Sequence, residues 1–477
     1  MAVVCSAPKG EKGWIVPRNG LSTASLFELV QPLAEPTTDR AVMRAYRVNP
    51  LSIFPARAYE EDRVVRPFFG RPSVLTSRAE DIRHVLLDNA DNYRRSRAGI
   101  RILRPLLGDG LFMATGAAWR AQRRTIAPAF VPSAVLSFAK AAAEALIPAR
   151  RDLLDRAQVP VDLLGRLQSL TLDVAGRALF SLPLNDQLGR AIRNRIGDYG
   201  LRYGRPSFLD FAVPLWLPSP RDLGRFRFRR RLFALIDRLI AARRGLVNDP
   251  RRRDLFDLLI AADWMAGGDS MAKLRNQVAT LIVAGHETTA IALFWALHLL
   301  AREPDWQERL AAEAMAQDLT PAGIGEAVSA LTLSRAVVDE AMRLFPPAYV
   351  IVRQAISDDR LDDLPVEPGT VILISPWVLH RHRQLWREPD VFAPERFLDK
   401  QAPIGRFAYL PFGAGPRVCV GASLAVTEAT IVLSTLLRAF RIEPADMTPV
   451  LPVGAITTQP NRAPLFRLIP RSKGTIA

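Results

Sequence analysis

Phe412-Gly413-Ala414-Gly415-Pro416-Arg417-Val418-Cys419-Val420-Gly421 is the stretch on which the reading of this chain turns. It closes a segment from Phe392 to Gly421 that is rich in Pro, Gly and aromatics and has little periodicity; a helical pattern, Ala422–Phe440, follows at once. Long irregular segments inside compact domains are usually functional. A dinucleotide turn starting at Gly413 would need a third glycine at 418, where Val418 stands, and a preceding βαβ unit. That reading fails. A buried, inert thiol is the usual fate of a free cysteine, but three features set Cys419 apart. It sits just before a helix start, where free N–H groups and the helix dipole favour a thiolate. Gly413, Gly415 and Gly421 allow tight turns that bring N–H groups near the sulfur. Arg417, two residues away, is placed to pair with an anionic group of a cofactor.

A lone thiolate on a glycine-rich loop suits a single axial bond to haem iron. The segment resembles the haem-binding signature F-x-x-G-x-R-x-C-x-G of the cytochrome P450 family, matched at Phe412, Gly415, Arg417, Cys419 and Gly421. The resemblance runs from about Pro32 to Leu468 and implies haem b, with Cys419 as its iron ligand and Phe412 and Gly413 beside it.

The longest apolar run, Val278–Ala301, carries Ala284-Gly285-His286-Glu287-Thr288-Thr289 at its centre. A carboxylate facing lipid is costly, so this reads as a helix buried in protein. Threonine hydroxyls can bond to carbonyls one turn back, yet a buried carboxylate beside a hydroxyl is costly unless used, and Gly285 allows a local distortion. The segment resembles the family's oxygen-activation motif. That implies space for O2 at Ala284 and Gly285 and an acid–alcohol pair, Glu287 and Thr288, as the catalytic residues. His286 reads as a helix-face histidine with a hydrogen-bond partner.

Other matches place the frame. Glu340 and Arg343 share a helix face and, with Arg396, resemble the family's structural charge network. Trp119 and Arg123 match the helix that contacts the haem propionates, and Arg353 resembles a further propionate contact, guanidinium being well suited to carboxylates. By the same resemblance Phe112, Ala348, Tyr349, Ala455 and Ile456 line the substrate pocket, which is apolar and suggests a hydrophobic substrate. Arg97, Arg101 and Arg104, read as a loop before Phe112, are candidates for a substrate carboxylate. His380 and His382 read as structural.

The 477 residues carry 64 Lys+Arg against 48 Asp+Glu, a net charge of +16, and 49% are hydrophobic. That composition excludes a largely disordered chain. Two cysteines, Cys5 and Cys419, exclude a disulfide scaffold, and five histidines make a multi-ligand zinc or copper site a poor reading. The basic residues, nearly all Arg, cluster locally at Arg225–Arg231, Arg243–Arg244 and Arg251–Arg253 but span the chain, without a nucleic-acid-reading motif. They fit an acidic protein partner better. No secretory or anchor segment is read at the amino terminus, and Phe208–Pro220 reads as a surface loop. Helical periodicity dominates, with strands at Val64–Phe69, Ser73–Leu75, Ile351–Ala355, Thr370–Pro376 and Leu465–Leu468.

The expectation is therefore a mainly α fold with a small β region (α+β), one large helical domain over residues 1–477. Residues 1–31 form a peripheral extension, and a small sheet lies near the amino terminus. The expected activity is a cytoplasmic haem-thiolate monooxygenase that inserts oxygen from O2 into a fatty acid, terpenoid or similar lipophile. A separate ferredoxin or flavodoxin, with its reductase, would supply electrons. A peroxide-using peroxygenase or isomerase of the same fold, and a non-catalytic haem sensor, are the alternatives; the intact Glu287–Thr288 pair argues for O2.

Overall fold

The computed structural model describes residues 30–471 apart from 36–37, 132–133, 158, 246–253, 263–268, 400 and 402–403. Cys5, the cluster Arg251–Arg253 and most of the amino-terminal extension lie outside the described residues.

The organising element is the helix Ser270–Leu300, started by Asp269, whose side chain accepts from the Ala272 N–H. From Val278 onward almost every side chain is buried; Ala284, Gly285 and Thr288 are the exceptions. A helix apolar on all sides must be covered on all sides, and this one packs against Leu163–Phe180, Thr332–Leu344 and Ala422–Ala439. Ser270–Leu300 and Ala422–Ala439 are long and apolar enough to cross a membrane, but 83% and 78% of their apolar windows are buried inside the protein. They form the core of a mainly α molecule, as composition and periodicity led one to expect.

The sheet is more than amino-terminal. Arg63–Phe68 and Arg71–Thr76 form a hairpin closed by Phe69 and Gly70, both at positive φ (53° and 68°), the signature of the tight two-residue turn that matches strand twist. Arg71–Thr76 then pairs in parallel with Val371–Ile374, which pairs with Ile351–Ala355, which in turn pairs with Tyr93–Arg95. The five-stranded sheet thus joins three early strands to two from the second half of the chain. Sequence alone cannot announce such pairings, because the partners lie hundreds of residues apart.

Three helices of ten residues or more, and the short helices Phe208–Ala212, Ile324–Ala327 and Pro376–Leu379, are not legible in the sequence pattern. Phe208–Ala212, started by a Ser207 capping box with Asp210 buried, corrects the expectation of a surface loop over Phe208–Pro220. Asp39–Val48 and Gln187–Tyr203 are amphipathic, but repeated Arg in both and three Gly in the second blur their apolar stripes. Arg97–Leu107, taken as a loop, is a helix that Ser96 caps through the Gly99 N–H. Gly99 and Pro105 suggested a break; burial of Ala98, Ile102 and Leu106 on one face overrides both. The segment Phe392–Gly421 is irregular as expected, with only 3-10 turns at Pro394–Phe397 and Gly415–Arg417.

Candidate active site

The loop before Ala422 is shaped by its glycines. Gly413 and Gly415 have φ of 72° and 75°, and a Cβ on Gly415 would lie 1.8 Å from the Leu86 carbonyl oxygen, so no other residue fits there. The Cys419 N–H donates to the Phe412 carbonyl (3.0 Å) and the Val418 N–H to Gly415 (3.0 Å). The loop curls so that Cys419, with Phe412 and Gly413, lines a cavity of about 820 Å³. Burial pushes the thiol upward from its usual pKa, opposed by a Gly421 N–H and the charge of Arg123. The sulfur itself is exposed to that cavity.

A charge network fixes this loop from behind. Glu340 and Arg343 are fully buried and paired at 2.7 Å, and Arg396 reaches Glu340 at 3.2 Å. Arg343 also donates to the carbonyls of His380, Pro389 and Val391, and the Ala393 N–H donates to Glu340. His380 carries the connection onward: its Nε2 accepts from the Leu410 N–H (2.8 Å), and the Leu410 carbonyl accepts from Gly413. Burial holds His380 neutral, its pKa lowered to about 3. The sequence grouped Glu340, Arg343 and Arg396 correctly; the structural reading of His380 gains a specific contact.

The same cavity is lined by Ala284, Gly285, Glu287 and Thr288 of the central helix. The helix runs unbroken through them; Thr288 and Thr289 place their hydroxyls on the carbonyls of Ala284 (2.8 Å) and Gly285 (3.2 Å). Glu287 is buried, and Oε1 accepts from Gln459 Nε2 (2.7 Å) and Thr457 Oγ1 (3.2 Å). Burial pushes its pKa up to about 7, against the pull of those two bonds. Thr457 and Gln459, missed in the sequence, come from the hairpin Pro452–Gly454/Thr458–Pro460. Trp295 Nε1 pins that hairpin by donating to the Thr458 carbonyl (2.8 Å). His286 turns away, bonded to the Ile282 carbonyl (2.7 Å), as read for a helix-face histidine.

A third group is cationic. Trp119, Arg123, Arg353 and Arg417 line the same cavity, joined by Arg95, which the sequence reading missed. Arg417 lies over the Trp119 ring (4.7 Å) and donates to Ala114; Arg123 donates to Val418, and Arg353 to Val352. Arg95 and Arg353 are register partners on adjacent strands, so their side chains share a face. Burial and mutual repulsion lower Arg95 to about 9 and Arg353 to about 10, and Arg95 Nε is buried without a partner. Among the described residues none of these four arginines has a carboxylate in ion-pair range. Such a cluster is unstable unless an anion fills it. With one thiol at the floor and no other candidate cluster of metal-ligating residues among the described residues, the donor set fits an iron porphyrin carrying acidic side groups.

Phe112, Ala348, Tyr349, Ala455 and Ile456 all line the cavity, and the Tyr349 hydroxyl donates to the Ala455 carbonyl (3.1 Å). Of the three arginines considered for a substrate carboxylate, Arg97 alone lines it. Arg101 is committed to the carbonyls of Pro214 and Leu217, and Arg104 to Asp109, so although they share the helix face of Arg97 both are engaged further along the axis. Glu428, buried with Oε1 unpartnered and its pKa raised by burial, also reaches the cavity wall.

A family model described as Cytochrome P450 matches residues 59–465. Among curated proteins the chain is similar to "Cyclooctatin synthase" of Streptomyces melanosporofaciens, 32% identical over 89% of this chain and 92% of the relative. It is similar to "Cyclooctat-9-en-7-ol 5-monooxygenase" of the same organism, 32% identical over 72% of this chain and 75% of the relative. It also matches "Pentalenene oxygenase" of Streptomyces avermitilis, 32% identical over 66% of this chain and 70% of the relative.

Proposed function

This chain belongs to the cytochrome P450 family and is a monooxygenase of it, and on that premise we propose that it hydroxylates a lipophilic substrate of terpenoid or fatty-acid size, with haem b as cofactor. The observation that carries the reading is one cavity walled by Cys419, by the Glu287–Thr288 pair and by an arginine cluster with no anion of its own. The relatives named for cyclooctatin and pentalenene chemistry put terpenoids first among candidates.

In this reading Cys419 Sγ would hold the haem iron, and Phe412 and Gly413 form the loop around it. Trp119, Arg123, Arg353, Arg417 and Arg95 hold the propionates, whose charge relieves the repulsion among the guanidinium groups. Bound there, the haem supplies reductive activation of O2 and oxygen insertion into a C–H bond. The remaining steps belong to the chain. Ala284 and Gly285 keep space free beside the iron position. Glu287, with a pKa near 7, exists in both protonation states around neutrality, the condition for a residue that takes protons from solvent and passes them inward. Thr288 donates its own proton to the Ala284 carbonyl, which leaves its oxygen facing the cavity as a hydrogen-bond acceptor. Thr457 and Gln459 hold the Glu287 carboxyl in position. Glu340, Arg343 and Arg396 are structural. Phe112, Ala348, Tyr349, Ala455 and Ile456 exclude water around the substrate.

Electrons come from a separate ferredoxin or flavodoxin with its reductase, for which a net charge of +16 favours an acidic partner. Residues 1–477 act as one domain, in the cytoplasm. The test is the spectrum of the reduced, carbon monoxide-bound protein. Wild type should give the red-shifted thiolate band and Cys419→Ala should not; a wild-type protein without that band refutes the assignment. Product that forms with O2 and reductant, but not with peroxide alone, separates this activity from a peroxygenase, and a haem sensor would form none.

A further inference from the structure

The inward face of the strand Arg63–Phe68 carries a charge that its position does not explain. Val64, Arg66 and Phe68 alternate onto one side, and Arg66 and Phe68 line the substrate cavity. An apolar residue between Val64 and Phe68 would seal this wall. Arg66 instead lies half-buried there with neither a hydrogen bond nor an ion pair among the described residues, its guanidinium 6.0 Å from the Phe68 ring. Burial disfavours its charge, and a buried charge without a partner is costly.

Two further donors face the same space. Ser73 is the register partner of Arg66 across the hairpin, so the two side chains leave the sheet on one face. Tyr46, from the helix Asp39–Val48, interacts electrostatically with Arg66 and packs against Phe211 at 5.7 Å. Both line the cavity, and neither hydroxyl has a hydrogen-bond partner among the described residues. The acidic groups that Arg66 senses, Asp39 and Glu35, are already engaged. Asp39 accepts from the Phe69 N–H (2.9 Å), and Glu35 pairs with Arg57 (2.9 Å). This group is also distinct from the propionate arginines: Arg95 senses Arg353 and Arg417, whereas Arg66 senses Tyr46, Asp39 and Glu35.

We propose that Arg66, with Tyr46 and Ser73, forms a subsite for the carboxylate of a lipophilic acid, so that this enzyme takes an anionic substrate and oxidises it away from the carboxylate. The inference rests on the monooxygenase reading only in taking this cavity as the substrate site. Guanidinium N–H groups flanked by two hydroxyl donors, with every nearby carboxylate engaged, call for an acceptor-only, negatively charged group. The neutral hydrocarbon or alcohol that the names of the terpenoid relatives suggest would leave these donors unmet.

The test is equilibrium titration of the ferric holoenzyme, read as the substrate-induced spin-state shift, with two matched pairs: dodecanoic acid against methyl dodecanoate, and abietic acid against methyl abietate. A charge-assisted hydrogen-bonded pair corresponds to roughly 10–100-fold in affinity. At least one acid should bind wild type that much more tightly than its ester. Arg66→Gln should abolish the preference by weakening the acid alone, and Tyr46→Phe should reduce it several-fold. Esters that bind as well as acids in wild type, or an Arg66→Gln protein that weakens both equally, overturn the proposal; so does a wild type that shows no acid-selective binding. If Arg66→Gln fails to assemble, the wild-type acid-to-ester ratio still decides, and Arg66→Lys should retain part of it. Failure of the underlying reading looks different: the wild-type protein would lack the thiolate-type carbon monoxide band, a measurement that needs no substrate.

Discussion

Glu287→Gln should make the protein more stable and nearly inactive. In the unfolded chain this carboxyl titrates at its ordinary 4.5; in the fold it is displaced to about 7, first by burial, with Thr457 and Gln459 pulling the other way. A folded-state pKa above the unfolded one means that the native state binds the proton more tightly. Stability is then full below pH 4.5 and is lost as pH rises toward and through 7. At about 1.4 kcal/mol per pH unit, the full penalty at alkaline pH is about 3 kcal/mol. The amide of Gln cannot ionise and keeps an oxygen to accept from Gln459 and Thr457, so the variant escapes the penalty. Urea unfolding of apoprotein from pH 5 to 9 should show the two proteins converging at the acid end. Above pH 8 Glu287→Gln should lead by up to about 3 kcal/mol. Turnover should fall by roughly 10²–10⁴-fold, the usual worth of a positioned proton-transfer group. A stability difference that does not vary with pH, or one that favours wild type at pH 8, would refute the account of Glu287 as a carboxyl held against its own ionisation.

Gln459→Leu removes the shorter bond to the same carboxylate. It should raise the Glu287 pKa by roughly 1–2 units, since a hydrogen bond to a charged group contributes about 1.5–3 kcal/mol; the alkaline limb of the pH–rate profile moves up by that amount, and an unmoved limb counts against the assignment. Glu340→Ala strands the fully buried Arg343 and should cost about 3–5 kcal/mol in urea unfolding, with loss of haem on purification. Arg95→Gln should release haem to apomyoglobin faster than wild type while the apoprotein becomes more stable. Slower release would show that Arg95 opposes the propionates.

What the sequence made legible follows a physical rule. Cys419, Glu287, Thr288, Glu340 and Arg343 were readable because each depends on neighbours within a few residues: a glycine-shaped loop, one turn of helix, an i,i+3 pair. Helix phase was equally readable where apolar residues dominate, as in Ser270–Leu300. It failed in Arg97–Leu107, where Arg, Gly and Pro fill the helix and tertiary burial of Ile102 and Leu106 decides. With that helix taken as a loop, Arg97, Arg101 and Arg104 looked equivalent. As i, i+4 and i+7 they share one face of that helix. Position along the axis and local partners separate them, Arg101 donating to the carbonyls of Pro214 and Leu217 and Arg104 pairing with Asp109, and only Arg97 reaches the cavity.

The residues that escaped notice share another property: each acquires meaning only from a partner far away in the chain. Arg95 becomes a propionate candidate because strand pairing sets it opposite Arg353. Gln459 matters because Trp295 pins its hairpin against the helix that bears Glu287. The same logic explains why the net charge of +16 was read at first only as a surface for acidic partners. Part of that excess lies inside, on arginines that line one cavity without a carboxylate in ion-pair range among the described residues. A fold does not keep unpaired guanidinium groups indoors without an anion to meet them. In the proposed reading the propionates of one haem answer for Arg95, Arg123, Arg353 and Arg417. They leave Arg66, on a different strand and among different neighbours, together with Arg97 and the exposed Arg71, without a carboxylate in ion-pair range among the described residues. The substrate is the remaining component able to supply one, and this makes the Arg66 titration a test of substrate class as well as of a single side chain.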